Sequence, residues 1–148
     1  MLDAFLPYRL SVLANTISND LARRYSARFG LSIPQWRVMA VLGTEADQSA
    51  GEIANRTRMD KVSVSRAVAA LRRQGHLQRR TDRADRRRSV LRLTASGRHV
   101  YDQIVPLARS YEAELLAMLD SAEREALGGW VEHLDEVALA LASESRDE

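Results

Sequence analysis

Residues 49–94 read SAGEIANRTRMDKVSVSRAVAALRRQGHLQRRTDRADRRRSVLRLT, and the order of local signals in this stretch decides the fold. Ser49 and Glu52 make a capping box, in which the serine hydroxyl and the glutamate carboxylate satisfy each other's orphan backbone amides, so a short helix starts there and ends near Thr57. Asp60 is a good N-cap for a second helix. Val64, Val68 and Leu71 share one face of it, and Gly75 supplies its C-terminal stop. After Gly75 the period changes. HLQRRT and RRSVLRLT partly alternate, which predicts two antiparallel strands joined by the loop DRADR, with Leu91 and Leu93 facing one way and Val90 and Arg92 the other.

Upstream, Leu10, Leu13, Ile17, Leu21 and Tyr25 recur at three- and four-residue spacing and predict an amphipathic helix from about Tyr8 to Phe29, ended by Gly30. Ser32 caps the next helix, with Pro34 in its first turn and Trp36, Met39 and Leu42 as its buried stripe up to Gly43. Downstream, Thr94 caps a long helix carrying Val100, Ile104, Leu107, Tyr111, Leu115 and Met118, in which Pro106 removes one hydrogen bond. Ser121 opens the last helix, whose stripe is Leu127, Val131, Leu134, Ala138 and Leu141. Gly128 and Gly129 weaken its early turns by roughly 1 kcal/mol each.

The overall charge of +2 conceals a partition along the chain. Residues 1–55 balance five arginines against five acids. Residues 56–98 hold thirteen arginines and one lysine against Asp60, Asp82 and Asp85, whereas residues 99–148 hold three arginines against twelve acids. A strongly basic central segment is the electrostatic footprint of a nucleic-acid-binding lobe. Arginine dominates it, and its planar fork meets phosphate and base edges bidentately. The 148 residues contain no cysteine, which excludes disulfides, thiolate metal sites and thiol redox sensing. No segment approaches the roughly 18 apolar residues of a membrane span. MLDAFLPYRL lacks a secretory pattern, so a cytoplasmic protein with no membrane partner is expected. His76, His99 and His133 are scattered, with no His-Glu-x-x-His pattern and no glycine-rich phosphate loop, so no catalytic residue, metal or cofactor is expected.

The order of helix, helix, short helix, helix, strand, basic loop, strand is that of a winged helix-turn-helix: mainly α with a small β-hairpin wing, an α+β fold. The run Asp85–Gly97, DRRRSVLRLTASG, resembles the wing and following helix start of the MarR family of transcriptional regulators, and VSRAVAALRRQGHLQRR resembles its recognition helix. The similarity runs from YRLSVLANTISNDLARRY through IPQWRVMAVL to the two C-terminal helices. It implies one MarR-like domain over 1–148, with residues 1–30 and 98–148 as a helical dimerisation region and 31–97 as the DNA-binding lobe. It also implies a homodimer on an inverted-repeat operator of double-stranded DNA, acting as a repressor released by a small-molecule effector.

Residue roles follow from the two readings together. Lys61, Ser63, Ser65 and Arg66 lie near the N-terminal end of the recognition helix, away from its apolar face. That end enters the major groove in helix-turn-helix proteins. Arg66 is the candidate for a base edge, Ser63 and Ser65 for bases or phosphates, and Lys61 with the helix amides for phosphate. By resemblance, Arg87 enters the minor groove and Asp60 pairs with it to brace the wing, while Arg83, Arg86 and Arg88 serve the adjacent backbone and Asp85 shapes the turn. Ala69 and Ala70 depart from an Asp-Arg pair of many relatives. A ligand pocket is implied where dimer helices meet the winged lobe, with Tyr8, Arg9, Asn15, Ser18, Trp36, Arg37 and Tyr111 as candidates suited to an aromatic carboxylate or its thioester. The other reading open at this point is a ligand-independent architectural or adaptor DNA-binding protein.

Overall fold

The computed structural model describes residues 2–146. A 3-10 turn, Leu2–Ala4, precedes α1 (Leu6–Phe29), α2 (Ile33–Thr44), α3 (Ala50–Thr57), α4 (Lys61–Arg73), β1 (Leu77–Thr81), β2 (Ser89–Leu93), α5 (Ala95–Leu115) and α6 (Ser121–Glu144). The protein is thus mainly helical with one antiparallel hairpin, as its pattern of caps and periods predicts. Among the described residues, no helix is long and apolar enough to cross a membrane.

Each cap named by the sequence is made. Ser32 and Gln35, and Ser49 and Glu52, close reciprocal capping boxes at α2 and α3. Asp60 receives the Ser63 amide at 2.8 Å, and Thr94 receives the Gly97 amide at 3.1 Å. Gly30 ends α1 at φ 64°, and Gly75 turns the chain out of α4 at φ 78°. The last helix opens at Ser121 as expected, and Asp120, its N-cap, exchanges bonds with Glu123. α5, however, stops at Leu115, because i→i+3 bonds tighten the chain at Ala117 and Leu119 before the new cap. Met118 therefore leaves the helical stripe and stands 92% exposed in the turn.

The chain divides into two compact units, Met1–Ala108 and Arg109–Glu148. The first holds the winged lobe, and α1 groups with it because Leu21, Ala22, Tyr25 and Phe29 pack against the lobe's core. That core joins Val38, Met39 and Leu42 of α2, Ile53 of α3, Val64, Val68 and Leu71 of α4, Leu77 and Leu91 of the hairpin, and Ile104 of α5. The hairpin pairs Leu77 with Leu93 and Thr81 with Ser89, so Leu91 and Leu93 share a face as the alternation requires. Val90, on the other face, is buried as well. It lines a recess of about 330 Å³ with Asp47, Arg80, Thr81, Asp82, Arg83 and Arg92. The second unit contains the end of α5, where Tyr111 is buried, and α6, none of whose residues is buried.

The wing is anchored by more than its own ladder. Asp47 donates its amide to the Leu91 carbonyl at 3.0 Å, and the Leu91 amide donates to the Gln48 carbonyl at 2.8 Å, so residues 47–48 add a short third rung to the free edge of β2. At the other end of the hairpin, the Thr94 amide donates to the His76 carbonyl at 3.0 Å. The start of α5 lies against this backbone so closely that a Cβ on Gly97 would stand 2.1 Å from the His76 carbonyl oxygen. We expect Gly97→Ala to destabilise the lobe by about 1–3 kcal/mol, because backbone cannot yield as a side chain can. Gly51→Ala, whose Cβ would approach only Ser49 Oγ at 3.8 Å, is the matched control. Urea denaturation of both variants checks this, and equal midpoints would refute the close approach.

Candidate nucleic-acid interface

The two faces of α4 separate cleanly. Val64, Ala67, Val68 and Leu71 are buried in the core, whereas Lys61, Val62, Ser65, Arg66, Ala69, Arg72 and Arg73 are exposed. Among the described residues, neither Lys61 nor Arg66 has a side-chain hydrogen bond or ion pair. Ser65 is exposed as expected, but Ser63 is half-buried and engaged: its hydroxyl donates to Asp60 Oδ2 at 2.6 Å while its amide donates to Oδ1. The Ser63 hydroxyl, and then its amide, hold the Asp60 carboxyl below the usual carboxylate range. An ionised aspartate at this cap also takes the place a phosphate would need at the helix N-terminus.

The wing tip is built from two aspartates. Asp82 accepts the Ala84 amide at 2.9 Å, and Asp85 accepts the Arg87 amide on its side chain at 3.0 Å and the Arg88 amide on its carbonyl at 2.9 Å. Asp85 thus shapes the turn. Arg83, Arg86 and Arg87 are exposed around it, and among the described residues their side chains carry no ion pair.

The brace expected between Asp60 and Arg87 is replaced by another. Asp60 is committed to Ser63, and the bracing arginine is Arg88, which points back from the tip. Its Nη1 donates to Asp82 Oδ2 at 2.8 Å, and its Nη2 pairs with Glu52 Oε1 at the start of α3. A parallel brace joins Arg92 of β2 to Asp47, with Nε donating to Oδ1 at 2.8 Å and Nη2 pairing with Oδ2. Asp47 adopts φ 61°, a left-handed conformation that aspartate tolerates better than most residues.

Glu52, Asp47, Asp82 and Arg92 escape sequence reasoning for separate reasons. Glu52 is fully explained by its capping box, yet that bond uses only Oε2 and leaves Oε1 for Arg88. Asp47 precedes the box with no periodic signal. Arg92 does sit on the hairpin face away from Leu91 and Leu93, and an arginine there is the one hint of an acid partner.

The proposed ligand-pocket residues are placed in several settings. Tyr8 and Arg9 line a groove of about 580 Å³ along the first half of α1, together with Leu6, Leu10, Leu13 and Thr16. Arg37 Nη2 donates to Ser18 Oγ at 3.1 Å, joining α2 to α1. Trp36 is half-buried between the rings of Tyr25 and Tyr101, with centroids 5.8 and 5.9 Å away, so it packs with the core. Asn15 is exposed on α1 outside the residues lining the groove, and Tyr111 lies in the part of α5 that belongs to the second unit.

With this geometry in view, comparison with known proteins is informative. A sequence model of the MarR family matches residues 29–88, from the end of α1 to the wing tip. The chain is similar to the transcriptional activatory protein BadR of Rhodopseudomonas palustris, at 31% identity over 74% of this chain. The match spans 64% of BadR, less than two thirds of its length. It is similar to the uncharacterized HTH-type transcriptional regulator YwoH of Bacillus subtilis at 31% identity, over 66% of this chain and 71% of YwoH. Among solved structures, a MarR/EmrR family transcriptional regulator from Acinetobacter sp. ADP1 superposes with a TM-score of 0.87 at 25% identity, covering 93% of this chain and 97% of that one.

The braces carry a pH signature. The Ser49 amide and then Arg88 lower Glu52, the Ala84 amide and then Arg88 lower Asp82, and Arg92 lowers Asp47. A carboxylate lowered on folding stabilises fully above its unfolded pKa, about 4, and loses that contribution as pH falls through the depressed folded value. We expect amides of Asp82, Arg88 and Leu91 to lose hydrogen-exchange protection as pH drops below about 4, ahead of the α2–α4 core. Arg88→Ala should produce the same loss at Asp82 and Arg88 already at neutral pH. Wild-type protection in that variant would show that the hairpin holds itself.

Proposed function

Because the chain belongs to the MarR family of transcriptional regulators, we propose that it is a DNA-binding regulator that occupies an inverted-repeat operator as a homodimer and leaves it on binding a small molecule. The observation that carries this reading is the division of labour among cations. Arg88 and Arg92 are consumed by carboxylates that hold the wing, while Lys61 and Arg66 on α4 and Arg83, Arg86 and Arg87 at the wing tip are exposed and, among the described residues, unpaired. Unneutralised cations fixed to a rigid lobe are what counterion release from DNA requires. In this reading α4 enters the major groove with Arg66 toward a base edge, and Arg87 enters the adjacent minor groove. Arg83 and Arg86 hold backbone, together with Lys61, whose neighbouring amide at Ser63 is already taken by Asp60.

Dimerisation through residues 1–30 and 98–148 is supported by apolar surface that the single chain leaves uncovered. Phe5, Leu6, Leu10 and Leu13 are exposed on or beside α1, and Trp130, Val131, Leu134 and Leu141 are exposed on α6, with Trp130 at 69%. Apolar exposure repeated along a helix marks an interaction site, and a two-fold partner covers the same surface on both copies. The α1 groove mixes Leu6 and Leu13 with Tyr8 and Arg9, a lining suited to an aromatic carboxylate or acyl thioester. We propose repression as the sense of regulation in the cytoplasm, although BadR bears an activator's name; operator position relative to the promoter sets the sign.

Selection of binding sites from random duplexes tests the reading. We expect an inverted repeat whose half-sites lie about one helical turn, roughly 34 Å, apart. On it, Arg66→Ala should cost about 1–3 kcal/mol and relax preference at one base pair. Arg87→Ala should reduce the slope of log K against log salt by about one counterion. Equal affinity for arbitrary DNA would make the protein an architectural binder, and absence of DNA binding would overturn the proposal.

A further inference from the structure

The exposed face of α4 is not uniformly polar. Val62, Arg66, Ala69 and Arg73 recur at intervals of four, three and four residues, so they line one strip of the helix, opposite the buried Val64, Ala67, Val68 and Leu71. Val62 is 58% exposed, whereas Val64, two positions on, is 1% exposed. Val62 therefore contributes nothing to the core. A β-branched residue is also a poorer helix former than the polar residues that serve equally well in water. A single apolar side chain on a protein surface is ordinary. This one, however, stands next to Lys61 and one helical turn from Arg66 on the exposed face, while Asp60, two residues back, is committed to Ser63 at the cap. Ala69 presents a second methyl on the other side of Arg66, beside Arg72, Arg73 and Arg79.

Resting on the DNA-binding reading above, we propose that Val62 is a specificity residue that contacts the C5 methyl of a thymine in the major groove, with Ala69 contacting a second. The major groove shows one apolar group among its donors and acceptors, the thymine methyl, and small apolar side chains are its natural complement. Lys61 and Arg66 supply the attraction that brings the helix down; Val62 and Ala69 supply no charge and make only short-range contacts, so they discriminate. Seven residues separate them, about 10 Å of helix, which is roughly three base-pair steps. The half-site then carries two thymines about three pairs apart, flanking the base pair read by Arg66.

Replacing one thymine at a time by deoxyuridine in the selected operator removes only the methyl. For the wild type, we expect affinity to fall about fourfold at the thymine under Val62 in each half-site, equivalent to burial of one methyl at ~0.8 kcal/mol. Val62→Ala should bind the unmodified operator more weakly and be indifferent to that replacement, with a thermal midpoint no lower than the wild type's. A second sensitive thymine about three pairs away should keep its sensitivity in Val62→Ala. If Val62→Ala retains the wild-type response at every thymine, the assignment is overturned. If the wild type selects no inverted repeat at all, the DNA-binding reading itself fails, which separates the two results.

Discussion

The position of the wing depends on how Glu52 divides its two oxygens. Oε2 closes the capping box by accepting the Ser49 amide, and Oε1 holds Arg88. One carboxylate thus starts α3 and fastens the hairpin to it. Arg88 extends the link to Asp82, which itself organises the loop through the Ala84 amide. The chain from helix cap to wing tip runs through charge-assisted bonds at half-exposed side chains, each modest alone and effective because they share partners. A hairpin of two five-residue strands is marginal by itself. Here it is held at its base by the Thr94–His76 bond, along one edge by residues 47–48, and near its tip by Arg88.

This arrangement sorts the basic segment by the company each arginine keeps. Three consecutive arginines, Arg86, Arg87 and Arg88, look interchangeable in the sequence, yet the turn at Asp85 sends the third inward and leaves the first two outside. The acids of that segment are few, and the structural duties of Asp60, Asp82 and Asp85 occupy all three. Positive potential therefore remains at the tip and along α4 even though the chain carries a formal net charge of only +2. Pre-positioning matters because ordering a loose loop on each encounter costs conformational entropy that a braced wing has already surrendered on folding.

Most of the fold could be read from the chain because its determinants are local. Capping boxes, left-handed glycines, the i, i+3, i+4 stripe of α4 and the alternation of Leu91 and Leu93 each act within a few residues. The third rung at residues 47–48 and the pairs Arg88–Glu52 and Arg92–Asp47 join positions 36 to 45 residues apart, and nothing local announces them. The expected Asp60–Arg87 pair shows how the error arises: both residues have chemically sensible partners in sequence, but Ser63 is three residues from Asp60 and satisfies it first. The stripe ending at Met118 fails for a related reason, since i→i+3 bonds at Ala117 and Leu119 end α5 at Leu115, which an apolar spacing continuing to Met118 does not reveal.

The Asp60 cap also constrains how α4 can meet a polyanion. A bare helix N-terminus offers amides and a partial positive charge, which suits phosphate. In this protein the Ser63 amide is occupied and an ionised carboxylate sits at the same end, so a phosphate brought there meets repulsion instead. In the proposed reading, attraction comes from side chains that reach past the cap, Lys61 in the first turn and Arg66 one turn later, and from the wing tip. On that reading the Asp60 cap closes the Ser63 amide to phosphate, and side chains rather than main-chain amides do the reading. Anchoring through side chains leaves the backbone of α4 free of the ligand. On the proposed reading, substitutions on the exposed strip alter which bases are preferred without disturbing the cap, the core face or the wing brace.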